Sequence, residues 1–177
     1  LNINAVPQFN PGETQPYQVF VTLHDITPLK KAEENLSNSE SRYRRLFEYS
    51  PIPLWEEDFS EVYSYFEELK QQGITNFRDY FDRHPNEIAK CSKMIKVIEV
   101  NSAAVNLHEA RSKKELLENF QAIFTDKSFI AFKEEVISLA EGDLRFEIEG
   151  EVKTFSNEPI DIHLLLFVDK KEDGSVN

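Results

Sequence analysis

The side chains with which this chain could do chemistry are four histidines, one cysteine and a large surplus of carboxylates. His24, His84, His108 and His163 lack the H-x-x-x-H spacing that places two imidazoles on one helix face for a metal. Cys91 sits in Lys-Cys-Ser-Lys with no second thiol in the chain. It can form no intrachain disulfide, which fits a reducing compartment and a cytoplasmic location. No G-x-G-x-x-G phosphate cradle is present, and no Ser/His/Asp set or paired carboxylates stand out from the many acids. The residues therefore predict no catalytic centre and no metal site, and the chain is expected not to be an enzyme. Aromatic carbon is the unusual resource: 14 Phe against one Trp and one Met. That bias suggests an aromatic-rich core or pocket.

Charge narrows the partners. The 177 residues carry 20 Lys+Arg against 32 Asp+Glu, a net charge of −12. A nucleic-acid duplex or an anionic membrane surface repels such a chain. The basic groups Lys30/Lys31 and Arg42/Arg44/Arg45 fall on one predicted helix and read as a solvated face. No apolar run approaches the roughly 20 residues that span a bilayer, so no membrane insertion is expected. No signal peptide is visible in the opening residues, and the absence of a first Met suggests a piece of something longer.

The elements that must position any site follow from period and punctuation. Residues 2–6 and 17–24 alternate and flank a turn-rich stretch, predicting a hairpin. Asp25 or Thr27 can cap a helix over 28–49, with Pro28 at its start. Leu29, Leu36 and Tyr43 lie seven apart, as do Ala32, Ser39 and Leu46 at an offset of three. That is a weak heptad seam, readable either as a marginal coiled coil or as a surface helix packed on its own domain. Ser50-Pro51 ends it. A short strand over 52–57 precedes three helical segments, 61–72, 76–83 and 85–93. A strand over 95–100, a helix over 103–110 capped by Asn101 or Ser102, and a helix from Ser112 with Glu115 completing a capping box come next. A helix over 127–140 ended by Gly142 leads to two long strands, 144–155 and 159–168, and a polar, turn-like tail.

Two stretches together resemble a known family. Val-Phe-Val-Thr-Leu-His-Asp-Ile-Thr-Pro followed by Arg-Tyr-Arg-Arg-Leu-Phe-Glu-Tyr-Ser-Pro is similar to the junction between tandem PAS domains of bacterial and archaeal sensor proteins. Lys96 to Phe120, with its Val-Asn-Ser-Ala-Ala and Ser-Lys-Lys-Glu-Leu-Leu runs, resembles the second PAS strand and its following helices. The resemblance implies an α+β fold: a five-stranded antiparallel sheet flanked by helices, with an N-terminal β-hairpin and a long linker helix. It divides the chain into 1–27, the terminal hairpin of a preceding PAS domain; 28–50, a signalling helix; and 51–177, a PAS domain with a helical insertion at 59–94. His108-Glu-Ala-Arg has a superficial likeness to a histidine-kinase phosphoacceptor box but lacks its proline. Cys91 does not sit in the N-C-R-F-L-Q motif of light-sensing relatives.

Counted against that pattern, the fifth, central strand is missing. A sheet without it exposes two unpaired edges. Residues 17–24 have the right length and chemistry to fill the slot, from their own chain or from a neighbour in a strand-swapped homodimer. The resemblance further implies a pocket on the concave face. Its candidate lining is Trp55, Val105, Phe120, Phe124, Phe132, Phe146, Ile162 and Leu164, with Ile123, Phe129 and Val136 also able to cover that face. These aromatics either leave room for a small molecule or simply fill the core. No ligand is identified; haem and flavin are disfavoured, and His108 and His163 read as satisfied or exposed side chains. Leu165 and Phe167 face the other side, with helix 28–49 the candidate cover. Asp25, Thr27, Leu29, Leu36, Tyr43 and Leu46 mark the signalling corner and helix. The expected function is sensory or relay, with the output domain of the same protein, in a histidine kinase or diguanylate cyclase, beyond this chain. The alternative is a ligand-free dimerisation module.

Overall fold

The computed structural model describes residues 2–12, 14–16 and 18–169. The expectations for Tyr17 and for a turn-like tail beyond Asp169 lie outside the described residues. The chain divides into two units, 1–46 and 47–177.

In the first unit, strands β1 (Asn2–Gln8) and β2 (Gln18–His24) pair antiparallel in one register, from Asn2 opposite His24 to Gln8 opposite Gln18. The Asp25 carboxylate accepts the Thr27 amide at 2.8 Å and so starts helix α1 (Thr27–Glu48). That bond, with the Thr27 side chain acting first, holds the Asp25 carboxyl below its usual range. Helix α1 has 22 residues and buries none of them. Leu29, Leu36, Tyr43 and Leu46 are 54–65% exposed. Apolar positions at seven-residue spacing thus lie on the exposed surface of α1.

The second unit starts with the end of α1. It contains β3 (Trp55–Asp58), α2 (Ser60–Gln71), α3 (Phe77–Arg83), α4 (Pro85–Met94), β4 (Lys96–Val100), α5 (Ser102–Leu107), α6 (Lys113–Glu118), a 3₁₀ turn (Phe120–Ile123), α7 (Asp126–Glu141), β5 (Arg145–Lys153) and β6 (Pro159–Phe167). Capping chemistry sets the boundaries. Asn76, Asn101, Ser112 and Thr125 each accept an amide of the following first turn. Gly142, at φ +101°, closes α7 in the left-handed conformation that only glycine adopts without cost. The capping box expected at Ser112 is half formed. Ser112 accepts the Glu115 amide, but the Glu115 carboxylate turns to the Arg111 amide. The reciprocal box is at Thr125 and Ser128.

Two buried clusters make the core. The first joins Phe59, Val62, Phe66 and Leu69 to Phe77, Phe81, Ile88 and Cys91, and to Val136, Ile137 and Leu139 of α7. The helices over 60–94 are thus part of the core and not an ornament on it. The second cluster holds Val100, Ala104, Leu116 and Ile123, with Trp55, Phe120, Phe124 and Phe155 against it.

The α+β character agrees with expectation; the sheet differs from it. The described strands form three two-stranded sheets, β1–β2, β3–β4 and β5–β6, and not one sheet of five. β2 is paired with β1 over its whole length and with no other described strand.

Candidate functional site

The structure concentrates specific polar bonding at one place, the end of α1. Asn101, fully buried, lies between β4 and α5. Its carboxamide oxygen accepts the Ala104 amide at 3.0 Å, which caps α5, and the Leu54 amide at 3.1 Å. Its nitrogen donates to the Phe47 carbonyl at 3.1 Å and the Ile52 carbonyl at 2.9 Å. One side chain therefore holds the last turn of α1, the Ser-Pro corner and the start of β3 against the β4–α5 junction. Glu48 adds a charged tie. It accepts from Ser102 and pairs with Lys113, which also reaches Glu99 at 3.1 Å. The Lys113 bond first, then Ser102, keeps the Glu48 carboxyl below its usual range.

Beside this joint lies an aromatic cluster. Trp55 meets Phe120 at 5.4 Å between ring centres and His108 at 5.7 Å, and Phe120 meets Phe124 edge-on at 4.9 Å. His108 is buried, with Nδ1 on the Lys153 carbonyl at 2.9 Å. Burial lowers its pKa, which keeps the ring neutral at pH 7. His163 is exposed and lies 2.9 Å from Glu147.

Of the residues the sequence assigned to a pocket, the structure brings Trp55, Val105, Phe120 and Phe124 together in this second cluster. Phe132 packs on the first cluster instead. Phe146, Ile162 and Leu164 face inward from β5 and β6 but remain half-buried and join neither cluster. Two open clefts lie elsewhere. One, of about 400 Å³, runs between Phe81, Pro85, Ile88 and Phe129 on α3, α4 and α7. The other, of about 330 Å³, lies between α7 and the β5–β6 hairpin, at Lys127, Ile148 and Asp161. Leu165 and Phe167, on the outer face, are 43% and 67% exposed. Among the described residues no cluster of three or more His, Cys, Asp or Glu could hold a metal ion. No described helix is long and apolar enough to cross a membrane.

Sequence reasoning missed two acids. Glu57 of β3 lies opposite Val97, just past a register shift, and Glu135 of α7 is only 7% exposed. Burial pushes Glu57 up to about 7. Burial, and then the Glu57 charge, push Glu135 up to about 8. A signal existed. Ala131, Glu135 and Leu139 recur at i, i+4, i+8 on the buried face of α7.

Comparison with known proteins finds a structural neighbour. No family model matches the chain, and no curated protein matches it. Among solved structures it is similar to the PAS domain of an HTR-like protein from Haloarcula marismortui, with a TM-score of 0.45 and 16% identity over 83% of this chain and 92% of that one. The functional reading rests on the residues of this chain rather than on that superposition.

Proposed function

We propose that this chain is a PAS-type signal-relay module, in which the state of the second unit's interior is passed to helix α1 and, through pairing of α1 in a homodimer, to an output domain of the same protein. The observation that carries this reading is the Asn101 joint. Its amide bonds both to the end of α1 and to the β4–α5 corner, next to the Trp55 cluster. A shift of that corner must either carry the end of α1 with it or leave buried polar groups unpaired, at about 1–3 kcal/mol each. Such a cost makes two discrete arrangements more favourable than a smear of intermediates.

The seam of α1 supports pairing with a like helix. With Leu29, Leu36 and Tyr43 at one core position, Glu33 and Glu40 flank the seam on the same side. Antiparallel pairing would set those acids against each other, whereas parallel pairing would not, so parallel pairing is preferred. The Ala32 and Ser39 positions weaken the core, which suits a helix whose pairing changes with signal.

The ligand-free version of this module is favoured by the close ring contacts of Trp55, Phe120 and Phe124, which fill the space a small molecule would need. The test is amide hydrogen exchange over residues 27–48 in this chain and in its Asn101→Ala variant. The relay predicts faster exchange extending up the helix from Glu48 toward Thr27. Acceleration confined to the last turn would leave Asn101 as a local cap and remove the reading.

A further inference from the structure

We propose that the β1–β2 hairpin is an interface between two copies of this chain, each packing the apolar face of its hairpin on the same face of the other. The inference rests on the parallel pairing of α1 proposed for the relay, and it names the surface which that pairing brings together at the start of the helices.

The register sorts the side chains of the hairpin. Residues directly opposite in an antiparallel pair share a face, and neighbours along a strand alternate. Ala5 lies opposite Val21 and Pro7 opposite Val19, and Leu23 continues the row. All five are apolar, and Val19, Val21 and Leu23 are 49–61% exposed. On the other face Asn4 lies opposite Thr22 and Gln8 opposite Gln18, with Val6 and Phe20 as an apolar pair between them. The hairpin is thus amphipathic, and a two-stranded hairpin by itself is marginally stable in water.

Charge argues for a second copy as the occupant. Residues 1–24 carry one charged side chain, Glu13, in a chain whose net charge is −12. Two copies repel each other through their acids but meet almost no charge at the hairpin. A basic partner would be drawn to the acids elsewhere. A lipid surface finds no Lys or Arg in residues 1–24 to hold its headgroups.

Geometry gives two hairpins the right spacing. Only Asp25 and Ile26 separate β2 from α1, so each hairpin begins where its helix begins. Paired helices lie about 8–10 Å apart, and packed sheets about 10 Å apart. Parallel pairing of α1 therefore sets the two hairpins at sheet-packing distance, and a two-fold axis offers the same face of each to the other. Antiparallel pairing would hold them about 33 Å apart, the length of a 22-residue helix. Area shows why the two surfaces belong together. A pair of seven-residue strands offers roughly 240 Å² per copy, against about 800 Å² per partner in a stable interface. The hairpin face is accordingly an extension of the α1 seam and not a dimer contact by itself.

Sedimentation equilibrium of the whole chain tests the face. Val21→Asp places a charge in the apolar row. Thr22→Asp places the same charge one residue on, on the other face, and so controls for damage to the hairpin and for net charge. Val21→Thr keeps a β-branched residue and the strand while adding a hydroxyl. Val21→Asp is expected to weaken self-association at least about tenfold, Val21→Thr to weaken it less, and Thr22→Asp to leave it within about twofold. Equal effects of the two Asp variants, no effect of either, or a native chain that is monomeric would overturn the proposal. Leu36→Asn separates it from the pairing of α1. Weakening by Leu36→Asn without weakening by Val21→Asp would overturn the hairpin interface and leave the helix pairing standing. Weakening by Val21→Asp alone would uphold the hairpin interface and remove the helix pairing. Binding to phosphatidylcholine vesicles that Val21→Asp abolishes would overturn the proposal in favour of a lipid surface.

Discussion

Asn101 illustrates how one side chain can hold several elements, and why its importance is invisible locally. In Val-Asn-Ser the sequence shows a helix cap, and the Ala104 bond is that cap. Its carbonyl partners, Phe47 and Ile52, come from about 50 residues earlier and are set only by the fold. Replacing Asn101 with Ala removes a cap and leaves the Leu54 amide unpaired. The expected loss is about 3 kcal/mol, read by urea denaturation, with an unchanged m-value. A loss under about 1 kcal/mol would mean that water takes over these bonds. Glu57 and Glu135 carry the pH dependence. Both fold with their pKa raised above the ordinary 4.5, to about 7 and about 8, so the folded chain binds more protons than the unfolded one across that interval. Stability contributed by the two groups is therefore full below about 4.5 and lost as pH rises through 7 to 8. Denaturation midpoints of the native chain are expected to fall over that range more steeply than those of the Glu57→Gln, Glu135→Gln variant. Parallel curves would refute the assignment. His108 opposes the trend only at the acid end, where its lowered pKa makes protonation of the buried ring costly.

At the scale of elements, most boundaries were legible because caps and periods are local. Asn76, Ser112, Gly142 and the seven-residue spacing of α1 all act within a turn or two. The 3₁₀ turn at Phe120–Ile123 was not legible, and those aromatics read as helix. What separates them from α7 is the Thr125 cap together with the bridge of Phe124 to Val152, a contact with a distant strand. The pocket assignment split for the same reason. Phe124 and Phe132 look alike in sequence, but the helix start at Asp126 sends them to different clusters. Two expectations belong here. Thr125→Ala removes one half of the capping box and should cost about 1 kcal/mol, measured by thermal or urea unfolding. Leu36→Asn, at the middle of an exposed seam, should leave the second unit's unfolding unchanged while weakening self-association at least about tenfold by sedimentation equilibrium. An unaffected association would mean that α1 is not the pairing element.

At the scale of the molecule, the 22-residue α1 leaves its apolar seam exposed, and each described strand pairs with one other described strand. The seven-residue period of the apolar positions on α1 was legible in the sequence, and those positions are exposed in the structure. The pairing of β2 with β1 was legible as well, from two alternating runs flanking a turn-rich stretch. The central claim, that the interior of the second unit sets the arrangement of paired α1 helices, has one direct test. A spin label is placed at Ser41→Cys, on the outer side of the seam. The native thiol is a poor competitor, since Cys91 is buried and its pKa is pushed up to about 12. Dipolar spectroscopy then reads the distance between the labels of two copies. The account predicts one narrow distance, as for neighbouring helices about 10 Å apart, that changes or broadens when Trp55→Ala loosens the cluster beside the joint. No intermolecular distance, or a distance that Trp55→Ala leaves untouched, would contradict it.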